Sequence, residues 1–411
     1  MLDNVETPPG PGDADDLIGK WRRGHEALEP VVVDGDVMYT HLADVLGLAH
    51  SYGLPNVFIK AGRPIEAPTG SSFIPLTHRN MTSRDVESIA KLLWRSESVL
   101  TEMLQGKALD LRYDLARPHD GSYLMFRGNM SKLDGVGANN YNISLRSFPS
   151  MPPPWEKLGI EPAITRNLLP DRGLILWVGK TDSGKTTLQA SAINYIARRA
   201  AFPINCIEYG EPLEYPQNDA KFERFRYMGI NLGVDLRAPP DWRRGNVAYA
   251  CRHSLRNAPG LVAISECRDG FDFEGVVEAA LAGTRTMTTA HTNGPPDTFN
   301  RMVQSVDPAV REAFASNLLS ALRVIVHQRL IPSAAGGRTG MREYMIFTKD
   351  HKRRIQEHPL HEWSRVIEDI MAEPDPDHVQ TFPQHLSRLL SAGEITQRAH
   401  DEAVGQLAFL E

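Results

Sequence analysis

The run Gly179-Lys180-Thr181-Asp182-Ser183-Gly184-Lys185-Thr186 satisfies G-x-x-x-x-G-K-[ST] at every fixed position. Glycines at those places let backbone N–H groups close around an anion without Cβ collisions. A helix that begins where the run ends adds the partial positive charge of its N-terminus. The chemistry is phosphate binding. Lys185 would reach the β- and γ-phosphates of a nucleotide, and the Thr186 hydroxyl would bind Mg²⁺. Gly179 to Thr187 is therefore the expected binding stretch, with ATP and Mg²⁺ as its ligands.

Other chemistry-bearing residues follow short apolar runs. Ile204-Asn205-Cys206-Ile207 leads into an acidic loop, Glu208-Tyr209-Gly210-Glu211-Pro212-Leu213-Glu214. Leu261-Val262-Ala263-Ile264-Ser265 ends in Glu266, like a Walker B strand whose carboxylate works with Mg²⁺ and water. Thr286 to Ala290 ends at His291. With Leu174–Val178 before the glycine-rich run, these read as strands. They alternate with helices over Thr187–Ala197, Asn246–Asn257, Phe271–Ala282 and Pro296–Val306, and Arg224–Asp241 reads as a loop-rich insertion. A further helix carries Val310, Phe314, Leu318, Ala321 and Ile325 on one side. The alternation predicts an α/β domain with a parallel sheet and ligands at the C-terminal strand ends.

Residues 1–16 read as a disordered tail and 17–147 as an α+β domain. That domain has helices over Tyr39–Tyr52 and Arg84–Gln105 and strands at Pro55–Lys60, Ser122–Arg127 and Tyr141–Arg146. Residues 148–155 form a proline-rich linker, 156–350 the phosphate-binding domain and 351–411 a polar helical region. The chain has 411 residues and a formal net charge of −6, which argues against broad nucleic-acid binding. Cys206, Cys251 and Cys267 have no C-x-x-C spacing, so zinc and a disulfide framework are not expected. No apolar run is long enough to span a bilayer, and Met1 to Glu6 lacks a signal-peptide core. Membrane association would come through partners or a surface patch.

The order of motifs resembles the secretion-ATPase superfamily, which includes type II and type IV secretion ATPases and type IV pilus motors. That family has a Walker A, an E-D-P-I-E "Asp box", a V-G-E-x-R-D Walker B and a T-x-H-T-N "His box". Here they read Gly179–Thr186, Glu211-Pro212-Leu213-Glu214, Ser265-Glu266-Cys267-Arg268-Asp269 and Ala290-His291-Thr292-Asn293. Glu278–Gly283 and Thr288–Thr292 carry the nearest likeness, to the type IVB secretion and conjugation branch (the DotB and TraJ kind). The resemblance implies a RecA-like ATPase domain, an N-terminal PAS-like domain and a C-terminal helical region. It also implies a homo-hexamer at the cytoplasmic face of an inner membrane, working with platform or coupling proteins and not directly with nucleic acid. His291 would sense the γ-phosphate, and Arg127 and Arg146 stand where the family places inter-subunit arginines.

Two departures stand out. The Walker B glycine is Ser265. The family's first Asp-box glutamate, its usual general base, falls at Gly210. The base is then expected among Glu211 first, with Glu208 and Glu214 behind it. Two rival readings remain beside the motor: a RecA-like nucleic-acid translocase, and a nucleotide-binding structural subunit with weak hydrolysis.

Overall fold

The computed structural model describes residues 28–69, 72–116, 123–133, 140–148, 151–168, 172–215, 217, 222–233, 235–373 and 375–408. The tail expected over residues 1–16 lies outside them, as do Pro149 and Ser150 of the proline-rich stretch. The chain divides into two units, Met1–Ser150 and Met151–Glu411.

The first unit is built on an antiparallel sheet of six strands, β1 (Asn56–Lys60), β2 (Glu66–Pro68), β3 (Phe73–Pro75), β4 (Leu109–Ala116), β5 (Tyr123–Lys132) and β6 (Tyr141–Phe148), in the order β3-β2-β1-β6-β5-β4. The helix Tyr39–Ser51 buries Leu42, Val45, Leu46 and Ala49, the i, i+3, i+4, i+7 stripe of a core-facing helix. The single helix expected over Arg84–Gln105 is two, Ser83–Trp94 and Val99–Leu104. Arg95 takes a left-handed φ of 57°, and Ser98 N–H donates to Ser96 Oγ, so local polar bonds displace the helical ladder. β4 was not expected. It pairs along its whole length with β5 and alternates buried Leu109, Leu111, Tyr113 and Leu115 with more exposed residues.

The second unit carries a sheet of eight strands, β7 (Gly173–Val178), β8 (Ile204–Gly210), β9 (Phe225–Asn231), β10 (Leu261–Ile264), β11 (Arg285–Ala290), β12 (Leu322–Pro332), β13 (Arg338–Ile346) and β14 (Val379–Gln380). The order is β14-β13-β12-β7-β11-β10-β8-β9. β12 through β9 run parallel, while β13 and β14 add antiparallel at one edge. β7 sits inside the sheet, and Leu174, Ile175, Leu176, Trp177 and Val178 are buried on both faces.

Three expectations are corrected here. The stretch Arg224–Asp241 contributes an edge strand, β9, paired to β8 from Ile204↔Phe225 to Gly210↔Asn231. The helix carrying Val310 to Ile325 ends at Ala321, and Leu322 opens β12. A buried strand with an unbroken apolar run, Val324-Ile325-Val326, cannot be told from a buried helix by periodicity. β8 also continues through Glu208 to Gly210, so the acidic loop starts only at Glu211.

The C-terminal region is helical, with Lys349–Gln356, Trp363–Ala372, Phe382–Ser391 and Gln397–Ala408. Ala399 N–H donates to Thr396 Oγ1, an N-cap bond for the last helix. Among the described residues, no helix is long and apolar enough to cross a membrane. All three cysteines are buried and free, and burial pushes their thiols up, so they pack as core residues.

Candidate nucleotide site

The glycine-rich loop links β7 to the helix Lys185–Arg199. Its backbone is shaped by residues at positive φ, Gly179 at 143°, Asp182 at 63° and Gly184 at 81°. A Cβ on Gly179 would lie 2.5 Å from the Gln328 carbonyl and 2.8 Å from Ser183 Oγ. On Gly184 it would lie 3.0 Å from Gln328 Nε2. A side chain at 179 would have to move the β12 backbone and one at 184 the Gln328 amide, both at positive φ, so the loop is a cradle of bare backbone amides at a helix N-terminus. That is what a phosphate needs.

Lys185 is buried and folds back over the loop, donating from Nζ to the Lys180 carbonyl at 2.7 Å. Burial lowers its pKa, while the charges of Glu266 and Glu214 work the other way. Lys180, Thr181 and Asp182 are exposed on the loop's outer side, and Asp182 is held 2.9 Å from Arg338 of β13. Thr186 and Thr187 begin the helix half-buried, and Thr187 Oγ1 lies 3.2 Å from the Tyr215 hydroxyl.

β10 and β11 bring Glu266 and His291 together. His291 Nε2 lies 2.8 Å from Glu266 Oε1, and the Arg268 guanidinium lies 3.0 Å from Glu266 Oε2. Burial and the Lys185 charge lower the His291 pKa, and Glu266 opposes them. A neutral ring donating from Nε2 to the carboxylate fits that balance. The His291 carbonyl accepts from Arg301 Nη1 at 2.7 Å, and the Thr292 and Thr298 hydroxyls meet at 2.6 Å, which fixes the turn into the helix Gly294–Ser305. Exposed Asn293 donates its N–H to Asp297.

The three candidate bases stand in different environments. Glu211 is more than a third exposed and lies 3.7 Å from Arg268. Glu208 is buried within β8 and accepts from the Tyr227 hydroxyl. Burial pushes its carboxyl up to about 7, against the Tyr227 and Gln189 hydrogen bonds. Glu214, half-buried, shares the surroundings of Lys185. Among the described residues no cluster of three or more His, Cys, Asp or Glu could hold a metal. Mg²⁺ does not require one, since it is bound by one or two side chains plus phosphate oxygens; Thr186 and Glu266 fit that pattern.

The two sequence departures are neighbours. Ser265 N–H donates to the Tyr209 carbonyl at 2.8 Å, which sets Ser265 beside Gly210. A Cβ on Gly210 would lie 2.4 Å from Ser265 Oγ. The Ser265 side chain occupies the space that a side chain at position 210 would need.

In the first unit, Arg127 and Arg146 are directly opposite in the β5–β6 register, both exposed. Like charges placed so are unfavourable in themselves. Arg112 faces Arg127 from β4. Sequence reasoning missed Arg268, Gln328 and Arg338. Arg268 stood inside a quoted motif and could have been weighed, but the other two belong to the unforeseen β12–β13 hairpin.

Residues 141–361, more than half of the chain, match the family described as Type II/IV secretion system protein. The Pseudomonas aeruginosa type IV pilus ATPase PilU is 26% identical over 376 residues, covering 89% of this chain and 90% of its own. The fold is similar to that of the Legionella pneumophila ATPase DotB, with TM-score 0.73 at 23% identity over 92% of this chain and 99% of that one. It is also similar to the pilus retraction motor PilT with bound ADP, with TM-score 0.72 at 26% identity over 88% of this chain and 96% of that one. The second unit is thus a RecA-like ATPase domain with C-terminal helices, and the chain belongs to the type II/IV secretion ATPase family of ATP-hydrolysing secretion and pilus motors.

Proposed function

We propose that the chain is a hexameric motor of a type IVB-like secretion or conjugation machine, working at the cytoplasmic face of an inner membrane through platform or coupling proteins. The observation that carries the site reading is the meeting of Lys185, Glu266 and His291 at the ends of three adjacent parallel strands. Gly179 to Thr187 bind the phosphates of ATP, and Lys185 exchanges the Lys180 carbonyl for phosphate oxygen. Thr186 and Glu266 hold Mg²⁺, which neutralises charge on the phosphates when bound. His291 reads the γ-phosphate through Glu266. The base is drawn from the same three carboxylates: Glu208 is sealed under Tyr227 and Glu211 stands exposed beside Arg268, which leaves half-buried Glu214 as the candidate to test first.

Arg127 and Arg146 serve the site of a neighbouring subunit, where guanidinium charge stabilises the transferring phosphoryl group. Their exposure on neighbouring strands of one sheet supports that reading. Nucleotide-driven motion is absorbed around the proline-rich stretch 148–155. The similarity to DotB supports the type IVB assignment through the fold and near-complete coverage of that chain.

Subunit mixing tests the motor. Lys185→Ala and Arg127→Ala chains should each turn ATP over poorly, and mixed rings should regain turnover, because each supplies what the other lacks. Two inactive variants that stay inactive on mixing, in a confirmed ring, would refute the shared site. Deleting the gene should abolish conjugal or effector transfer and leave pilus retraction intact; the reverse pattern would refute the machine.

A further inference from the structure

β12 and β13 pair with Gln328 directly opposite Arg342. Arg342 is almost fully buried and is bound on every side. Nη1 donates to Gln328 Oε1 at 3.1 Å, Nε to Glu161 Oε2 at 2.8 Å, and Nη2 to the carbonyls of Leu158 and Gly159. Its backbone N–H donates to His385 Nδ1 at 2.8 Å, and its carbonyl accepts from Gln380. Glu161 is equally buried. It accepts from Gln380 and Arg388 and lies 3.2 Å from His385 Nε2. Because His385 Nδ1 is an acceptor, the proton sits on Nε2, and the ring is a neutral donor to Glu161.

The other end of this network is the phosphate loop. Gln328 Nε2 donates to the Ser183 carbonyl at 2.8 Å. A guanidinium has no acceptor, so it can face only the oxygen of the Gln328 amide. That leaves the amide NH₂ directed at Ser183. In a trans peptide the carbonyl and the following N–H point in opposite directions. Fixing the Ser183 carbonyl on Gln328 therefore fixes the Gly184 N–H on the loop's other side, where phosphate is cradled.

We infer that the Glu161–Arg342–Gln328 chain is a positioning relay that sets the Ser183–Gly184 peptide for ATP binding and ties it to the Leu158–Gly159 carbonyls and to the C-terminal helix Phe382–Ser391. None of these residues touches the reacting atoms. Gly340 belongs to the same device: a Cβ there would lie 2.3 Å from Arg342 Nη1 and 2.9 Å from Gln328 Oε1. Any side chain at 340 drives a wedge between the two.

The inference rests on nucleotide binding by the glycine-rich loop, and the experiment separates the two. ATP affinity, KM and kcat are measured for the full chain and for Gln328→Glu, Gly340→Ala and Lys185→Ala. Gln328→Glu keeps an acceptor for Arg342 but sets an oxygen against the Ser183 carbonyl. Gly340→Ala removes no charge and requires no left-handed backbone. Arg354→Gln, which loses an exposed pair with Glu373, is the control. Gln328→Glu should weaken ATP binding about tenfold, the scale of one loop N–H no longer held towards phosphate. Gly340→Ala should weaken it by several-fold. In both, the thermal midpoint should fall by a few degrees with the chain still folded at the assay temperature, and KM should rise with kcat nearly constant, whereas general destabilisation would lower the active fraction instead. Wild-type affinity in either folded variant overturns the relay. No ATP binding by the unmodified chain overturns the site reading and the relay with it.

Discussion

Gly210→Ala offers a test of how this site is built. The added methyl would lie 2.4 Å from Ser265 Oγ, 2.9 Å from Leu213 Cδ2 and 3.2 Å from the Leu213 nitrogen. The first contact is about 1 Å short of ordinary approach, and Gly210, the last residue of β8, is packed against Ser265 after β10 and against Leu213 of the following loop. Overpacking of that kind costs about 1–3 kcal/mol. Ser265→Gly alone loses a hydroxyl and gains backbone freedom in the unfolded chain, for about 0.5–1 kcal/mol. Together the methyl takes the hydroxyl's place, and only a small shift of Leu213 remains. The double variant should then cost about 1 kcal/mol rather than the sum of the two singles, a coupling of about 1–2 kcal/mol. Urea unfolding read by tryptophan fluorescence suits the purpose, because four of the six tryptophans, Trp155, Trp177, Trp242 and Trp363, lie in the second unit. Midpoints are compared at equal slope. Additivity within about 0.5 kcal/mol would show that the two positions are independent and sink the argument. The same pair gives a functional test. Gly210→Glu should be tolerated only with Ser265→Gly.

Two further outcomes follow from the site's charges. Glu208, raised to about 7 by burial, keeps its proton in the folded chain where the unfolded chain, with its ordinary value of 4.5, has lost it. Stability from this group is complete below about pH 4.5 and is lost as pH rises towards 7, by about 3 kcal/mol in total; Glu208→Gln should flatten that slope between pH 5 and 8 while ATP turnover persists. An unchanged slope, measured by unfolding at each pH, would mean that Glu208 is ionised in place. Arg268→Ala should change stability by less than about 0.5 kcal/mol, since the side chain is largely exposed, yet lower kcat several-fold at constant KM by unclamping Glu266; steady-state kinetics with unaltered kcat would refute the clamp.

Much of the second unit was legible because its strands are short, buried and followed by residues with chemistry. β7, β10 and β11 each lie within a residue or two of their expected places, and Lys185, Glu266 and His291 follow them. What could not be read was the far half of the sheet. Val324, Ile325 and Val326 face both sides of a buried strand, so neither a period of 2 nor one of 3.6 marks them. The helix Arg311–Ala321 flows into them without a breaking residue, since Ala321 and Leu322 suit either state. The β4 strand, by contrast, shows a clean alternation and was open to the same reading that found β5 and β6.

For the site, the sequence shows which groups are present but not which way they turn. Glu208, Glu211 and Glu214 are alike on paper. The distinction comes from partners remote in sequence: Tyr227 on an unforeseen strand takes Glu208, and Arg268 takes Glu211. Gly210 and Ser265 look like two separate departures from one family pattern, each weakening the assignment. In space they adjoin, because the volume that a side chain at 210 would take on β8 is filled by Ser265 from the end of β10. The Ser265 hydroxyl bars a side chain at 210, so the carboxylates of this stretch that lie outside β8 are Glu211 and Glu214, beyond the strand's end.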